Sequence, residues 1–561
     1  MHYAQALVFL SSILRIYAAS PAPSRVVDLG YAQYEGSVND QTGNFEFLGI
    51  RFAAAPTGSL RWEAPQPPRP TRGTQKANAL PNRCWEAGQG NQLRAPFPLN
   101  SHSSATTGTS TTNHNHRHYQ KRAAVPGFSE DCLFLNVVTP ASAVPQKSKL
   151  PVVVWIHGGG YMAGSASGFN GNDVYDGDDL VREAGGGAIA VIIQYRLGVF
   201  GFLAGEKVHQ GGVLNAGLLD QQFALEWVQS HISKFGGDPS KVTIWGESAG
   251  AGSVLQHIVA NNGNTRPPLF RGAMTSSTFL PSQYAFNDRI PEQLYTETVK
   301  ATGCSSAVNT LNCLRQVDVN VLQEANTNIG DSGFFGTFIF VPVVDGKFIT
   351  KRPTQLIKEG RVNGDAFLAV TNTFEGALFV NMNTSATVQT PSYLANLFPE
   401  FRDAQVAEGT VQYAKQSAPI DQVVAIMGES IFICPTYFLL RAFKNKGFKG
   451  EFAIPPGGHG NDVIYYFPNQ TAGVLPPFDS AEFLNNFSQS FLNFVIAQDP
   501  NVKWDPSNTV PRWARWTERG RNEMLFNKTD SNVPVFRSIS TSGDLLSRCD
   551  FWESVSQFSA Q

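Results

Sequence analysis

Two runs of this chain, residues 150–156 (LPVVVWI) and 188–195 (AIAVIIQY), are apolar at almost every position and rich in β-branched side chains. A strand with one wet face alternates apolar and polar residues. A run without alternation has both faces covered, as in a parallel sheet flanked by helices. Downstream the period changes: Leu219, Phe223 and Trp227 recur every four residues within 218–235, predicting one apolar helix face. Asp238-Pro239 turns the chain, residues 241–245 (KVTIW) read as a short strand and 249–260 as a helix; later strands fall at 367–371 and 451–454. Strands alternating with helices predict an α/β fold with a mostly parallel central sheet and helices on both faces. No fixed-period repeat supports a solenoid or propeller. With 42% of its 561 residues apolar, the chain can bury one large core, so 21–561 is expected to form a single domain.

The chemistry concentrates at the ends of these strands. Gly246-Glu247-Ser248-Ala249-Gly250 follows the strand ending at Trp245 and opens a helix. A G-x-S-x-G turn in that setting is tight enough to hold a serine hydroxyl out over the strand ends, and the helix N-terminus behind it favours developing negative charge. Directly after residues 150–156 comes His157-Gly158-Gly159-Gly160. Such a turn lets backbone N–H groups approach the oxyanion of a tetrahedral intermediate. A phosphate-binding loop would need Gly-Lys-Ser/Thr, whereas Tyr161-Met162 follows here.

Ser248 requires a base. Of ten histidines, His2 lies in the leader, His157 in the glycine turn, and His231 and His257 on predicted helices. His459 lies in Pro455-Pro456-Gly457-Gly458-His459-Gly460, a loop after a strand, and satisfies the chain order serine, acid, histidine. Two carboxylates between them follow apolar strands: Asp345 after residues 340–344, and Glu375 within Thr373-Phe374-Glu375-Gly376. The pattern favours Glu375 and leaves Asp345 open.

Export signals bracket this core. Residues 1–20 read as a signal peptide: an apolar run from Ala6 to Leu14, then Ala18, Ala19 and Ser20. Six cysteines, Cys84, Cys132, Cys304, Cys313, Cys434 and Cys549, agree with an oxidising compartment, and Cys304 and Cys313 are near enough to staple a short loop. Four sequons begin at Asn383, Asn469, Asn486 and Asn527. Residues 100–122 are rich in Ser, Thr, Asn and His and are expected to form a mobile polar insertion rather than a metal site, because His102, His114, His116 and His118 have no Cys or carboxylate at ligand spacing. Lys121-Arg122 at its end is a candidate processing site. A formal net charge of −2 gives no field to recruit nucleic acid or an acidic membrane. No further run of 18 apolar residues suggests a membrane anchor.

Together these residues resemble the type-B carboxylesterase/lipase family, which includes cholinesterases and secreted fungal lipases. The resemblance is carried by Ser129-Glu130-Asp131-Cys132-Leu133-Phe134-Leu135-Asn136, the glycine run after His157, Tyr195-Arg196-Leu197-Gly198, the motif around Ser248, Phe374-Glu375-Gly376 and Gly458-His459-Gly460. It implies the α/β-hydrolase fold, a Ser248–His459–Glu375 triad with Glu375 rather than Asp345 as the acid, and oxyanion donors at Gly159, Gly160 and Ala249. It implies disulfides Cys84–Cys132, Cys304–Cys313 and Cys434–Cys549, a buried Arg61–Glu130 pair, and supporting roles for Glu247 and Ser277. Gly336 and Phe338 match the acyl pocket, where a glycine at 336 would leave room for acyl groups larger than acetyl. Trp85 stands beside Cys84 rather than deep in the first disulfide loop, a departure that argues against choline-ester specificity. The expected activity is hydrolysis of medium- to long-chain carboxylic esters through an acyl-enzyme, without metal or organic cofactor, on a small-molecule or lipid substrate outside the cell. An amidase or lactonase on the same site, or a silent binding protein on the same fold, are the alternatives.

Overall fold

A computed structural model describes residues 25–98, 127–168, 175–468 and 476–561. The expected leader 1–20, the polar insertion 100–122 with Lys121-Arg122, and the sequon at Asn469 lie outside the described residues.

Thirteen strands form one sheet: β1 (Arg25–Asp28), β2 (Gln33–Val38), β3 (Phe45–Arg51), β4 (Thr74–Ala77), β5 (Phe134–Thr139), β6 (Leu150–Ile156), β7 (Ile189–Ile193), β8 (Gly237–Glu247), β9 (Gly272–Ser276), β10 (Ala366–Asn372), β11 (Gly447–Phe452), β12 (Asn522–Lys528) and β13 (Pro534–Ser540). Their order is β1-β2-β3-β5-β7-β6-β8-β9-β10-β11-β12-β13, with β4 beside β2. The stretch from β7 through β12 is parallel throughout, and antiparallel strands flank it on both sides. The expected α/β sheet is therefore present, parallel at its centre as read from the sequence, but mixed as a whole because of the antiparallel flanks.

The apolar runs behave as their composition requires. Val152, Val154 and Ile156 point into one core layer, while Val153 and Trp155 point into the other. The second layer is closed by the helix Ala481–Ala497, whose Phe483, Phe487 and Phe491 recur every four residues against β11 and β12. One reading shifts. In the helix Ala216–His231 the fully buried stripe is Leu218, Gln221, Leu225 and Val228; Leu219 and Phe223 are only half-buried at its edge. Strand β11 also begins earlier than 451, at Gly447, because Lys449 is neutralised inside the fold by Glu523 and donates to Thr371 Oγ1. Among the described residues one helix, Pro419–Ala442, is long and apolar enough to cross a membrane, but its apolar stretch is mostly buried within this fold.

All six cysteines pair as Cys84–Cys132, Cys304–Cys313 and Cys434–Cys549. Arg61 holds Glu130 through two hydrogen bonds of 2.6 and 2.8 Å and spends its remaining N–H groups on the carbonyls of Leu314, Arg315 and Val317. Of the sequons, Asn383 is exposed and Asn527 half-buried. Asn486 is a correction: it faces the core of its helix, only 4% exposed, donating to Glu482 O and accepting from Thr509 N–H, so the folded protein cannot present it to a glycosyltransferase.

Candidate active site

Strand β8 runs straight into the helix Ala249–Gly263, and the single residue between them is Ser248. The reversal forces Ser248 to φ +55°, ψ −124°, a region non-glycine residues avoid and one that costs on the order of 1–3 kcal/mol. Its N–H is tied to Ser276 O on the neighbouring strand β9. Both glycines are sterically required. A Cβ on Gly250 would stand 1.9 Å from Ile156 O, and one on Gly246 would stand 2.4 Å from the Gly250 carbonyl carbon. The sequence motif is thus a packing solution that delivers one hydroxyl to the end of β8.

The glycine run after β6 faces that hydroxyl. Gly159 and Gly160 have φ of +103° and +64°, and both line the same cavity as Ser248 and His459. Ala249 opens the helix, where the first N–H groups have no partner within the helix. Behind the run, His157 stacks on Tyr195 at 4.4 Å and burial lowers its pKa to about 4, so it is a neutral core side chain.

Glu375 and His459 arrive on adjacent strand ends. Phe374 and Gly458 form a parallel bridge beyond β10 and β11, so the residue after each bridge position lands beside the other. His459 Nδ1 lies 2.6 Å from Glu375 Oε2. Glu375 Oε1 accepts from the Ser277 hydroxyl at 2.7 Å and from Asn372 N–H at 2.6 Å. Phe432 and Phe379 pack on the imidazole with ring centroids at 4.4 and 4.9 Å. His459 lines the cavity that holds Ser248, and its Nε2 is buried 3.2 Å from Glu247 Oε1 without an aligned hydrogen bond. Such bonds commonly tighten only when substrate is bound.

Three buried carboxylates therefore surround one histidine: Glu375, Glu247 and Asp462. Burial pushes the Glu247 carboxyl up to about 8, and burial also raises Asp462. Burial opposes a charge on His459, but Glu247, Glu375 and Asp462 together draw its pKa above the ordinary imidazole value. Asp462 and Asn372 escaped the sequence reading. Asn372 Nδ2 donates to both Ser277 Oγ and Asp462 Oδ1, and Tyr466 OH donates to Asp462 Oδ2. A signal was present: Asp462 follows His459 by only three residues, across the turn that leads into the short helix Val463–Tyr466.

Asp345 lies apart from this cluster, its Oδ1 accepting from the N–H groups of Lys347 and Ile349 and its Oδ2 from Asn215. Trp85 stacks on Phe128 at 5.8 Å and borders a small buried cavity with Arg61 and Cys84, away from Ser248. Gly336 is a second correction. It borders an apolar cavity, but a Cβ there would stand 2.0 Å from Phe379 O at a φ of +78°, so the glycine serves a close backbone crossing and not pocket width. Phe338, by contrast, lies directly over Gly160 and borders both that cavity and the one containing Ser248.

Comparison with known proteins identifies the family and the fold. Residues 23–552 match the model of the carboxylesterase family. Carboxylesterase patB of Aspergillus clavatus is 30% identical, over 98% of this chain and all of its own length. Lipase 2 of Geotrichum candidum is 30% identical over 86% of this chain and 88% of its own. A secreted lipase of Arthroderma benhamiae is 33% identical over 76% and 83%. The crystal structure of Aspergillus niger EstA superposes with a TM-score of 0.80 at 30% identity, covering 96% of this chain and 99% of that one. An α/β-hydrolase sheet, a serine at the strand-to-helix turn and a family match over nearly the whole length lead to one conclusion: the chain belongs to the carboxylesterase family and is a carboxylic-ester hydrolase.

Proposed function

We propose that this enzyme is a secreted serine esterase that cleaves medium- to long-chain acyl esters through an acyl-enzyme at Ser248. His459 Nε2 takes the Ser248 proton as Oγ bonds to the ester carbonyl carbon. Glu375 orients the ring and stabilises its cation, and the N–H groups of Gly159, Gly160 and Ala249 receive the oxyanion. The imidazolium then protonates the departing alkoxide as the C–O bond breaks. Water, deprotonated by the same nitrogen, releases the acid and restores Ser248. Glu247 and Asp462 act on the proton affinity of His459, and Ser277 and Asn372 hold Glu375 in place.

The observation that carries the chain-length reading is that Phe338 and Phe379 line two compartments at once. On one side lies the cavity with Ser248; on the other an apolar cavity lined by side chains such as Phe279, Phe334, Ile431 and Phe432. An acyl chain bound at Ser248 can pass these two rings and bury its methylenes, each contributing about 0.8 kcal/mol. Three disulfides and the apolar leader favour export, as does the likeness to a secreted lipase.

The test is the hydrolysis rate of p-nitrophenyl esters from acetyl to palmitoyl, with Ser248→Ala in parallel. The expected result is a kcat/KM that rises with chain length and is lost in Ser248→Ala. A short-chain optimum would remove the chain-length reading, and full activity in Ser248→Ala would remove the mechanism.

A further inference from the structure

The helix Pro419–Ala442 is interrupted by a wide turn at Glu429–Ile433, where Cys434 N–H reaches back five residues to Glu429 O. Such insertions change which residues face inward and recur at functional sites. Here the turn supplies Ile431 and Phe432 to the wall of the apolar cavity and brings Phe432 against His459. The adjoining wall is the segment after β9, where Phe279 stacks on Phe432 at 5.5 Å and Pro281 also lines the cavity.

A widened turn needs external partners for its backbone, and it has them. Ile431 O accepts from Leu280 N–H at 2.9 Å, and Phe432 O from the Thr436 hydroxyl at 3.0 Å. Ser430 O accepts from the side-chain amide of Gln561 at 2.8 Å. The same amide nitrogen donates to Leu280 O at 2.7 Å. One NH2 group thus joins a carbonyl next to Ile431 to a carbonyl between Phe279 and Pro281. Gln561 is 3% exposed, and its Oε1 accepts from the Ser559 hydroxyl at 2.8 Å. Ala560 O, beside it, accepts from Gln283 N–H at 2.7 Å. This chain of contacts is separate from the triad: among the described residues, the hydrogen bonds of Ser430 and Leu280 go to Ile426, Ile431 and Gln561 and not to Ser248, Glu375 or His459.

We infer that Gln561 is a positioning residue for acyl-chain specificity: its amide staples the wide turn at Glu429–Ile433 to the segment around Leu280 and so sets the width of the apolar compartment. Losing both donors leaves two buried carbonyls unpaired, and the walls bearing Ile431 and Phe279 are then held only by the Leu280 N–H bond to Ile431 O and the Phe279–Phe432 stack, a looser join that lets them shift. A chain that fills the compartment senses that shift; an acetyl group that never enters it does not. The inference rests on the apolar cavity being the acyl compartment.

The experiment compares Gln561→Met, which keeps similar bulk without donors, and Phe338→Trp, which obstructs the passage, against the unmodified enzyme. The readouts are kcat/KM for p-nitrophenyl decanoate and acetate and the melting temperature. The staple predicts a decanoate-to-acetate ratio reduced about fivefold or more in Gln561→Met, a selectivity change of the size that pocket contacts produce. A lower melting temperature with both esters affected alike means a purely structural role and overturns the inference. If Phe338→Trp also leaves the ratio unmoved, the compartment reading itself fails; if Phe338→Trp shifts it and Gln561→Met does not, only the staple fails. Should Gln561→Met not fold, Gln561→Asn carries the same test, because its amide is one methylene too short to reach both carbonyls.

Discussion

Glu247 Oε1 lies 3.2 Å from His459 Nε2, the ring nitrogen opposite the one engaged by Glu375. One proton between them can sit on either, so the two groups titrate as a pair. His459 works as a base only when neutral, and its carboxylate neighbours raise its pKa above the ordinary value, so kcat/KM must rise with pH through that raised value. Glu247→Gln removes one of those neighbours. Because burial pushes the Glu247 carboxyl up to about 8, only the form ionised beside the imidazolium acts, and the acid limb of the kcat/KM profile is expected to move down by up to about one pH unit. The pH profile of p-nitrophenyl butyrate hydrolysis checks it; a limb that stays put or moves up would mean Glu247 carries no charge while His459 titrates.

The second prediction concerns Gly160. A Cβ at this position would stand 2.1 Å from the Phe338 ring, and φ is +64°. Gly160→Ala should displace either the ring or the N–H proposed to receive the oxyanion. Loss of one such donor lowers kcat by about 10²–10³. Removing the ring as well separates the causes. If crowding is the main fault, Gly160→Ala with Phe338→Ala recovers part of the rate, giving a non-additive double-mutant cycle. If kcat stays as low as in the single variant, backbone conformation rather than Phe338 is responsible.

What could be read from the sequence divides along one physical line. Ser248 and the sheet were legible because their constraints are local: Gly246 and Gly250 are needed within one turn, and residues 150–156 state their own burial. Gly336 was misread because what forbids a side chain there is Phe379 O, 43 residues away by numbering and in contact only through the fold. The sequon at Asn486 failed because a three-residue pattern ignores the helical period, although Phe483, Phe487 and Phe491 on either side announced a buried face. Asp462 and Asn372 were missed because their importance lies in hydrogen bonds across two strand ends. The wide turn at Glu429–Ile433 carries no local signature in glycine or proline within those residues.

Acid sensitivity of the fold follows from two histidines outside the triad. His257 is fully buried with Nε2 3.1 Å from Gln221 Oε1, and burial lowers its pKa to about 3; His157 is lowered to about 4. A depressed folded-state pKa means that the unfolded chain takes up the proton first. The stability is therefore complete above pH 6.5 and is lost as pH falls through 6.5 toward 4 and then 3. Each histidine adds a slope of about 1.4 kcal/mol per pH unit in that window. In His257→Gln the urea midpoint should fall less steeply between pH 6 and about 4.5 than in the unmodified protein. An equal slope in both would show that His257 does not take up a proton on unfolding.

The three disulfides should differ in worth according to the chain they close. Cys304–Cys313 spans a separation of 9 residues, Cys84–Cys132 48 and Cys434–Cys549 115. In the chain-entropy model these correspond to about 2.6, 4 and 5 kcal/mol of restriction on the unfolded state. Cys434–Cys549 has a second role, since it anchors the helix directly after the wide turn, and the adjacent Arg548 grips Glu429 through bonds of 2.7 and 2.6 Å. Replacing Cys304 and Cys313 together by alanine should lower the melting temperature least and leave ester selectivity alone. Replacing Cys434 and Cys549 should lower it most and also reduce the rate on long-chain esters relative to acetate. The reverse ranking of melting temperatures would indicate that native packing around each bridge, rather than unfolded-chain entropy, decides its contribution.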